Sequence, residues 1–582
     1  MTNSVSITGL GIICAIGNDT TSVLHSLRNG VSGIGKMKYL PSKHNELPVG
    51  EVQLSNDEMK QMLGITDPAP VSRTSLMGAI AIRQALHDAG ISSVEGKRVA
   101  VISGTTVGGM DLTEKYFEQM KTDDTLLTLP SDNECGKSTI EMAEMAGVKE
   151  AEYCTLSTAC SSALNAIILG TEMLKRDEVD LVIAGGSEAL SIFHLNGFNT
   201  LMILDKERCR PFDETRAGLN LGEGAAFVVL EKNAEKPLAY IAGYGNRCDA
   251  FHQTASSENG EGAYLAMTEA LTMAQLQPDE IQYVNAHGTG TPNNDPSESE
   301  ALKRVFGEKM PAVSSTKSFT GHTTSASGSI ETVICVLAMQ HRFIPGNLGW
   351  KQQMAGGIVP TLGKDDVQLD NVICNSFGFG GNDSSLVISR HQPKNAETAP
   401  IGDYAVEIAS EETVTSVEEL SGLKEFVSVM ESRRMGKLLK ACHLSSLRAL
   451  KKAGIDCPDA IISATSRGML EFSHLFLEDI IANDEELLKP TLFMQSTHNT
   501  LSSAIAIRTK CHGYNVTYSQ GDESMQWALR DAERLIKTGK AKSVLVGDFD
   551  ESTPIMNSFA ERCGREVPAE IYAKSMVLVR GE

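Results

Sequence analysis

The segment CTLSTACSSALNAIILGTEMLKR, residues 154–176, changes character near its middle. A short strand-like run ends at Cys160 and a stretch rich in Ala, Leu and Ile follows, so a strand is expected to run into a helix over 161–175. The same alternation continues outward. Runs of β-formers at 99–102, 181–184 and 227–230 are separated by helical patterns such as 76–88. Strands interleaved with helices in this way predict an α/β architecture of layers around buried sheet strands.

The pattern then recurs. ALHDAGI at 85–91 has a counterpart in ALKKAGI at 449–455, and VISGTTVGGM at 101–110 resembles IISATSRGM at 461–469. Further on, a constant offset of 362 carries Ser157 to Ser519, Ala166 to Ala528, Val182 to Val544 and Gly185 to Gly547. One register held over that span marks an internal repeat. The polar stretch QPKNAETAPIG at 392–402 reads as a linker ahead of the second copy. The expected division is 1–250 and 251–391 for two halves of a first unit and 403–582 for an appended half. Because SMVLVRGE stands where the first copy has AAFVVLEK, the appended part matches only one half of a two-half fold.

Composition excludes several classes of function. No run of about 18 apolar residues occurs, so no membrane-spanning helix is expected. The apolar stretch 5–16 lacks the preceding basic residues of a secretory signal and reads as a buried strand and turn. Twelve cysteines without metal-ligand spacing fit neither a disulfide framework nor a zinc module, which points to a reducing, cytoplasmic setting. A formal net charge of −22 disfavours nonspecific binding to nucleic acid or anionic membrane.

Cys160, at the start of the expected helix, would have its thiolate stabilised by backbone N–H groups and the helix dipole. A buried, unreactive cysteine fits the same local pattern. NAHGTGTPNNDPSESEAL places His287 in a Gly/Thr-rich loop, and STKSFTGHTTSASGSIE places Lys317 five residues before His322. Either histidine alone fits a structural role as well as a chemical one. NSFGFGGNDSS, from Asn375, adds glycines that let backbone N–H groups approach a ligand, as an oxyanion hole requires.

Together these four motifs resemble the β-ketoacyl synthases of the thiolase superfamily, over residues 5 to about 390. VSITGLGIICAIGND, CRPFDETRAGLNLGEGAAFVVLE and the order Cys, His, Lys, His, GFGG carry the resemblance. It implies a five-layer αβαβα fold of two similar halves, here with a third thiolase-like half appended, and an active site near a homodimer interface. It also implies a nucleophile, Cys160, that takes an acyl chain from the phosphopantetheine of an acyl carrier protein, with Cys160 and Phe379 N–H groups as the oxyanion hole. His287 and His322 would then stabilise the enolate formed when a malonyl thioester loses carbon dioxide. Lys317 is implied as a supporting catalytic residue balanced by Glu331, Thr289 and Thr291 as the pantetheine contacts, and Val107, Phe198, Phe377 and Phe379 as the acyl pocket or its gate. No bound cofactor or metal is implied. The partners expected are acyl- and malonyl-loaded carrier protein and either a second copy or a ketosynthase-like protein.

The sequence departs from the family at several places. Ser325 and Ser327 stand where the family has small Gly or Ala, which raises the expectation of an altered pocket, and Asn382-Asp383 replace the usual Thr-Asn. Residues 51–73, where carrier protein is expected to dock, hold only Lys60 and Arg73 as bases, which shifts the expected docking surface to Lys206, Arg208 and their neighbours. At the offset of 362, Cys160 corresponds to Asp522, so the appended half resembles the N-terminal part of chain-length-factor proteins and is expected to be catalytically inert, packed on the ketosynthase or on a partner. Two other functions share these features: a non-catalytic partner of another synthase, and a thiolase acting on coenzyme A thioesters.

Overall fold

The computed structural model describes residues 4–126, 134–393 and 404–581. The expected linker 392–402 lies, beyond Gln392 and Pro393, outside them. Three runs of chain each supply five strands of one fifteen-stranded sheet. The first has β1 (Val5–Cys14), β2 (Val99–Gly104), β3 (Glu152–Leu156), β4 (Leu181–Glu188) and β5 (Gly224–Lys232). The second has β6 (Ala239–Cys248), β7 (Tyr283–Asn285), β8 (Ala312–Ser314), β9 (Asn371–Gly378) and β10 (Asn382–Ser389). The third has β11 (Val406–Val414), β12 (Ala460–Ala464), β13 (Tyr514–Tyr518), β14 (Ser543–Glu551) and β15 (Ile571–Arg580). The second set opens at Ala239, ahead of the break expected after residue 250, because β5 and β6 are joined by a short connection with no shift in composition.

Every set has one spatial order. The strands run β3-β2-β4-β5-β1 in the first, β8-β7-β9-β10-β6 in the second and β13-β12-β14-β15-β11 in the third. In each, two parallel pairings are followed by two antiparallel ones. The 362-residue offset in sequence is therefore a repeat of topology. The first and second sets join through β1 and β6, antiparallel from Val5 opposite Ile241 to Ile7 opposite Ala239. The first and third join at the opposite edge, where Leu156 of β3 faces Tyr518 of β13. Ser157 N–H donates to Thr517 O at 2.8 Å and Ser519 N–H to Thr155 O at 2.9 Å across that seam.

Helix α1 (Arg73–Asp88) covers the outer face of the first set, its N-terminus capped by the Ser72 side chain. Helices α2 (Ser162–Lys175) and α3 (Ser327–His341) lie between the first and second sets and touch strands of both. They are apolar on nearly all sides, the signature of a helix with protein all around it. This gives the αβαβα layering of the thiolase-like fold. The third set has no fourth set to complete it among the described residues, and its sequence is written accordingly: the counterpart of α2, helix α4 (Ser524–Lys537), buries Trp527, Ala528, Leu535 and Ile536 but keeps Gln526 exposed. An amphipathic helix suits a face that meets water.

The third half packs on the ketosynthase-like part through a large shared core and a charge cluster whose Glu172, Arg534 and Asp531 are buried. Arg534 lies 3.1 Å from Glu172 and 2.5 Å from Asp531, and Lys540 lies 3.0 Å from Glu172, which also accepts a hydrogen bond from Tyr244. All twelve cysteines are free thiols. No helix among the described residues is long and apolar enough to cross a membrane.

Candidate active site

Cys160 sits between β3 and α2 at a sharp turn. Ala159 holds a left-handed φ of 51°, a conformation that side chains other than glycine rarely adopt and that costs energy. Gly378, at the end of β9, closes over the turn; a Cβ there would lie 2.7 Å from Thr158 O and 3.1 Å from Cys160 N. Only glycine permits that approach. The Cys160 carbonyl accepts the Ser376 hydroxyl at 2.9 Å, which ties the Cys160 turn to β9.

The loops after β7 and β8 bring the histidines to this turn. His322 Nε2 lies 3.1 Å from Cys160 Sγ, and the His287 and His322 rings meet edge to face at 5.3 Å. One ligand atom from each of the three residues lies within 4.8 Å of the others, a spacing one reacting carbonyl can share and a soft metal ion would also fit. All three are buried. Burial pushes the Cys160 thiol up to about 12, while the Lys317 charge and the Phe379 N–H pull it down. Burial first, then the Lys317 charge, holds both imidazoles well below the usual histidine range, so both are neutral. The site thus pairs a protonated thiol with a neutral base.

Lys317 Nζ reaches Glu331 at 2.6 Å in the interior, and burial pushes the Glu331 carboxyl up to about 7 against the pull of Lys317. Thr289 and Thr291 bond to one another at 2.9 Å and line a 210 Å³ channel that leads to Cys160, His287 and His322. Phe198, Phe377 and Phe379 line the same channel. Phe377 packs 5.8 Å from the His287 ring, whereas Phe379 stacks on Phe198 at 5.7 Å. Val107 is not a wall of the channel; it lies with Phe198 and Phe193 in the apolar cluster behind Phe379. The third half contributes to that cluster, through Phe476 and through Phe493, whose ring lies 5.5 Å from Phe198.

The family departures find partners elsewhere. Ser325 donates to buried Glu188, while Ser327 donates to Thr324 O at 3.0 Å and reaches Cys160 O at 3.4 Å, and neither residue lines the channel. Arg73, one of the two bases in residues 51–73, is buried and ion-paired to Glu223 at 2.7 Å, which leaves that stretch poorer still in exposed bases. Several residues that position the site were not singled out from sequence. Glu298 accepts the N–H groups of His287 at 2.8 Å and Gly288 at 2.7 Å, and Asp295 accepts those of Gly290 and Phe212. Acidic residues directly after a Gly/Thr-rich loop were the available signal.

Comparison with known proteins identifies the family. Residues 2–236 match the N-terminal domain of β-ketoacyl synthases and 238–351 the C-terminal domain. The 3-oxoacyl-[acyl-carrier-protein] synthase 2 of Coxiella burnetii is 33% identical over 415 residues, covering 66% of this chain and 98% of the relative. The chain belongs to the β-ketoacyl synthase family. Nodulation protein E of Rhizobium meliloti is 32% identical to the synthase, with 67% of this chain and 100% of the relative covered. A second match to a β-ketoacyl synthase N-terminal domain covers residues 409–582, the third half. The solved ishigamide ketosynthase/chain length factor matches the synthase with a TM-score of 0.62 and 27% identity, over 67% of this chain and 100% of that one. The PfaC keto synthase-chain length factor shares its fold over 99% of this chain and 78% of that one, with a TM-score of 0.78 at 16% identity.

Proposed function

We propose that the chain is a β-ketoacyl-[acyl-carrier-protein] synthase that condenses a malonyl thioester with an acyl chain held on Cys160, in fatty acid or specialised polyene or polyketide synthesis. The observation that carries this reading is the 3.1 Å approach of His322 to the Cys160 sulfur beside a second neutral imidazole. The Cys160 proton passes to His322 as sulfur attacks the carrier-bound thioester carbonyl. A new carbon–sulfur bond forms, the pantetheine sulfur leaves, and the proton follows it. The N–H groups of Cys160 and Phe379 hold the oxyanion between these events.

In the second half-reaction the malonyl carboxylate leaves as carbon dioxide, and its bonding pair becomes the enolate. His287 and His322 donate hydrogen bonds to the enolate oxygen. The enolate carbon attacks the acyl carbonyl and expels the Cys160 thiolate, giving a β-ketoacyl thioester. Lys317, balanced by Glu331, fixes the local field; Thr289 and Thr291 hold the pantetheine arm, while Phe198, Phe377 and Phe379 bound the acyl chain and Val107 backs that wall from the apolar cluster behind Phe379.

The carrier protein docks where the channel opens, around exposed Met202, Lys206 and Arg208. The first two strand sets, which meet ahead of β6 at Ala239, act as two catalytic halves, and residues 403–582 act as one inert half that serves as the ketosynthase-like partner within the same chain. Asp522, exposed in that half, cannot carry an acyl group by thioester exchange. Free, largely buried thiols support a cytoplasmic setting.

The test is intact-mass spectrometry of wild type and Cys160→Ala after incubation with acyl carrier proteins of several chain lengths, then with malonyl carrier protein. An acyl adduct on wild type alone, discharged by the malonyl donor, is expected. Absence of an adduct with every primer would leave the chain as a non-catalytic partner of another synthase.

A further inference from the structure

The Gly-rich loop that bears Phe379 is held by the third half. Asn499 opens helix α5 (Thr500–Thr509), at a position where an Asn side chain ordinarily accepts an N–H of its own first turn. It makes no such bond. Its Nδ2 instead donates to Phe379 O at 2.8 Å and to Asn382 Oδ1 at 2.8 Å. Asn382 in turn donates to the Asn515 backbone carbonyl at 3.1 Å and to Asn515 Oδ1 at 3.0 Å.

The other side of the same peptide is also fixed. The Gly380 N–H donates to Gln253 O at 2.7 Å. Gly380 lies so close to the third half that a Cβ would meet Ser503 at 2.7 Å and Asn499 Nδ2 at 2.9 Å. The chain of amides then runs on to the nucleophile turn. Asn515 N–H donates to Asn246, Asn246 to Asn165 at 2.8 Å, and Asn165 to the Thr158 hydroxyl at 2.9 Å. Asn499, Asn382, Asn515 and Asn165 are each at most 3% exposed, so these bonds face no competition from solvent.

We infer that Asn499 is a positioning residue for the acyl-transfer site: from the third half it fixes the Phe379–Gly380 peptide, the unit next to the Gly378–Phe379 peptide, and through the backbone of Phe379 it sets where the Phe379 N–H meets the developing oxyanion. This rests on the oxyanion role proposed above for Phe379. The third half is then a structural part of the catalytic centre although it carries no nucleophile. Asn382, which replaces the family's usual threonine, supplies the second acceptor of the Asn499 amide, and this gives that departure a physical reason.

The test compares the full-length wild type with Asn499→Leu in two reactions at Cys160. Acylation by an acyl carrier protein passes through an oxyanion; S-alkylation by iodoacetamide does not. Acylation is expected to slow about tenfold in kcat, below the loss seen when an oxyanion donor is deleted outright. KM for the acyl carrier and the melting temperature are expected to stay near wild type, and alkylation, which feels the Phe379 N–H only through the Cys160 thiol, is expected to slow less than acylation. Equal acylation rates overturn the inference, and so does a parallel fall in acylation and alkylation, which would make the amide a general brace. Asn499→Ser, too short to reach Phe379 O, gives the same comparison if the leucine variant does not fold. A wild type that takes up no acyl group would instead sink the synthase reading, a result separate from an acylated wild type with an equally fast variant.

Discussion

Lys317 and Glu331 form a fully buried ion pair 2.6 Å long, and the Lys317 charge reaches past its partner to depress the titration of Cys160, His287 and His322 together. Removing that cation by Lys317→Met is expected to raise all three. The pH profile of Cys160 alkylation should move to higher pH, and an unchanged profile would show that Lys317 does not set the local field. Stripping one member from a buried pair also costs about 3–5 kcal/mol, part of which Glu331→Gln in the same chain should restore.

Phe493 packs its ring 5.5 Å from Phe198 and 5.9 Å from Phe193. Gly197 meets that ring so closely that a Cβ would lie 2.2 Å from it. Phe493→Ala should leave a cavity behind the Phe198–Phe379 stack, at a cost of about 3–5 kcal/mol in stability. Acyl adducts measured by mass should shift toward longer primers. An unchanged ranking of primers would place the acyl path elsewhere.

His498 lies at the seam, with Nδ1 3.2 Å from Thr106 O and Nε2 3.8 Å from the Cys135 sulfur. Burial pushes its imidazole down from 6.5 to about 4, against the pull of backbone bonds. Its contribution to stability is therefore complete above its unfolded value and is lost as pH falls through the folded one. The melting temperature should drop on acidification from pH 6.5 toward 4, and His498→Gln should flatten that drop by up to about 3 kcal/mol. The flattening is partial, because burial pushes His194 and His474 down to about 4 as well. A variant whose acid limb overlays the wild type would remove His498 as a cause.

The layered fold was legible because each buried strand and central helix writes an apolar run of fixed length, and one offset preserved those runs in the third copy. The set of Cys160, His287 and His322 was readable only through motifs, since the residues lie 127 and 35 positions apart in the chain and meet only through the fold. Asn499 and Phe493 had no local signature. An asparagine before a helix reads as a cap, and a phenylalanine in an apolar run reads as core. Their partners lie 120 residues away at Phe379 and 295 residues away at Phe198, across a seam that sequence spacing does not reveal.

The third half and the catalytic halves share one covalent chain, and this changes how their association responds to concentration. A separate subunit falls away when diluted below its dissociation constant; a tethered one meets its site at a fixed effective concentration. One copy of Asn499 accompanies every Cys160, whatever the expression level, so the stoichiometry is set at translation. Dilution should leave the specific activity of this synthase unchanged over ranges that would dissociate a two-chain assembly.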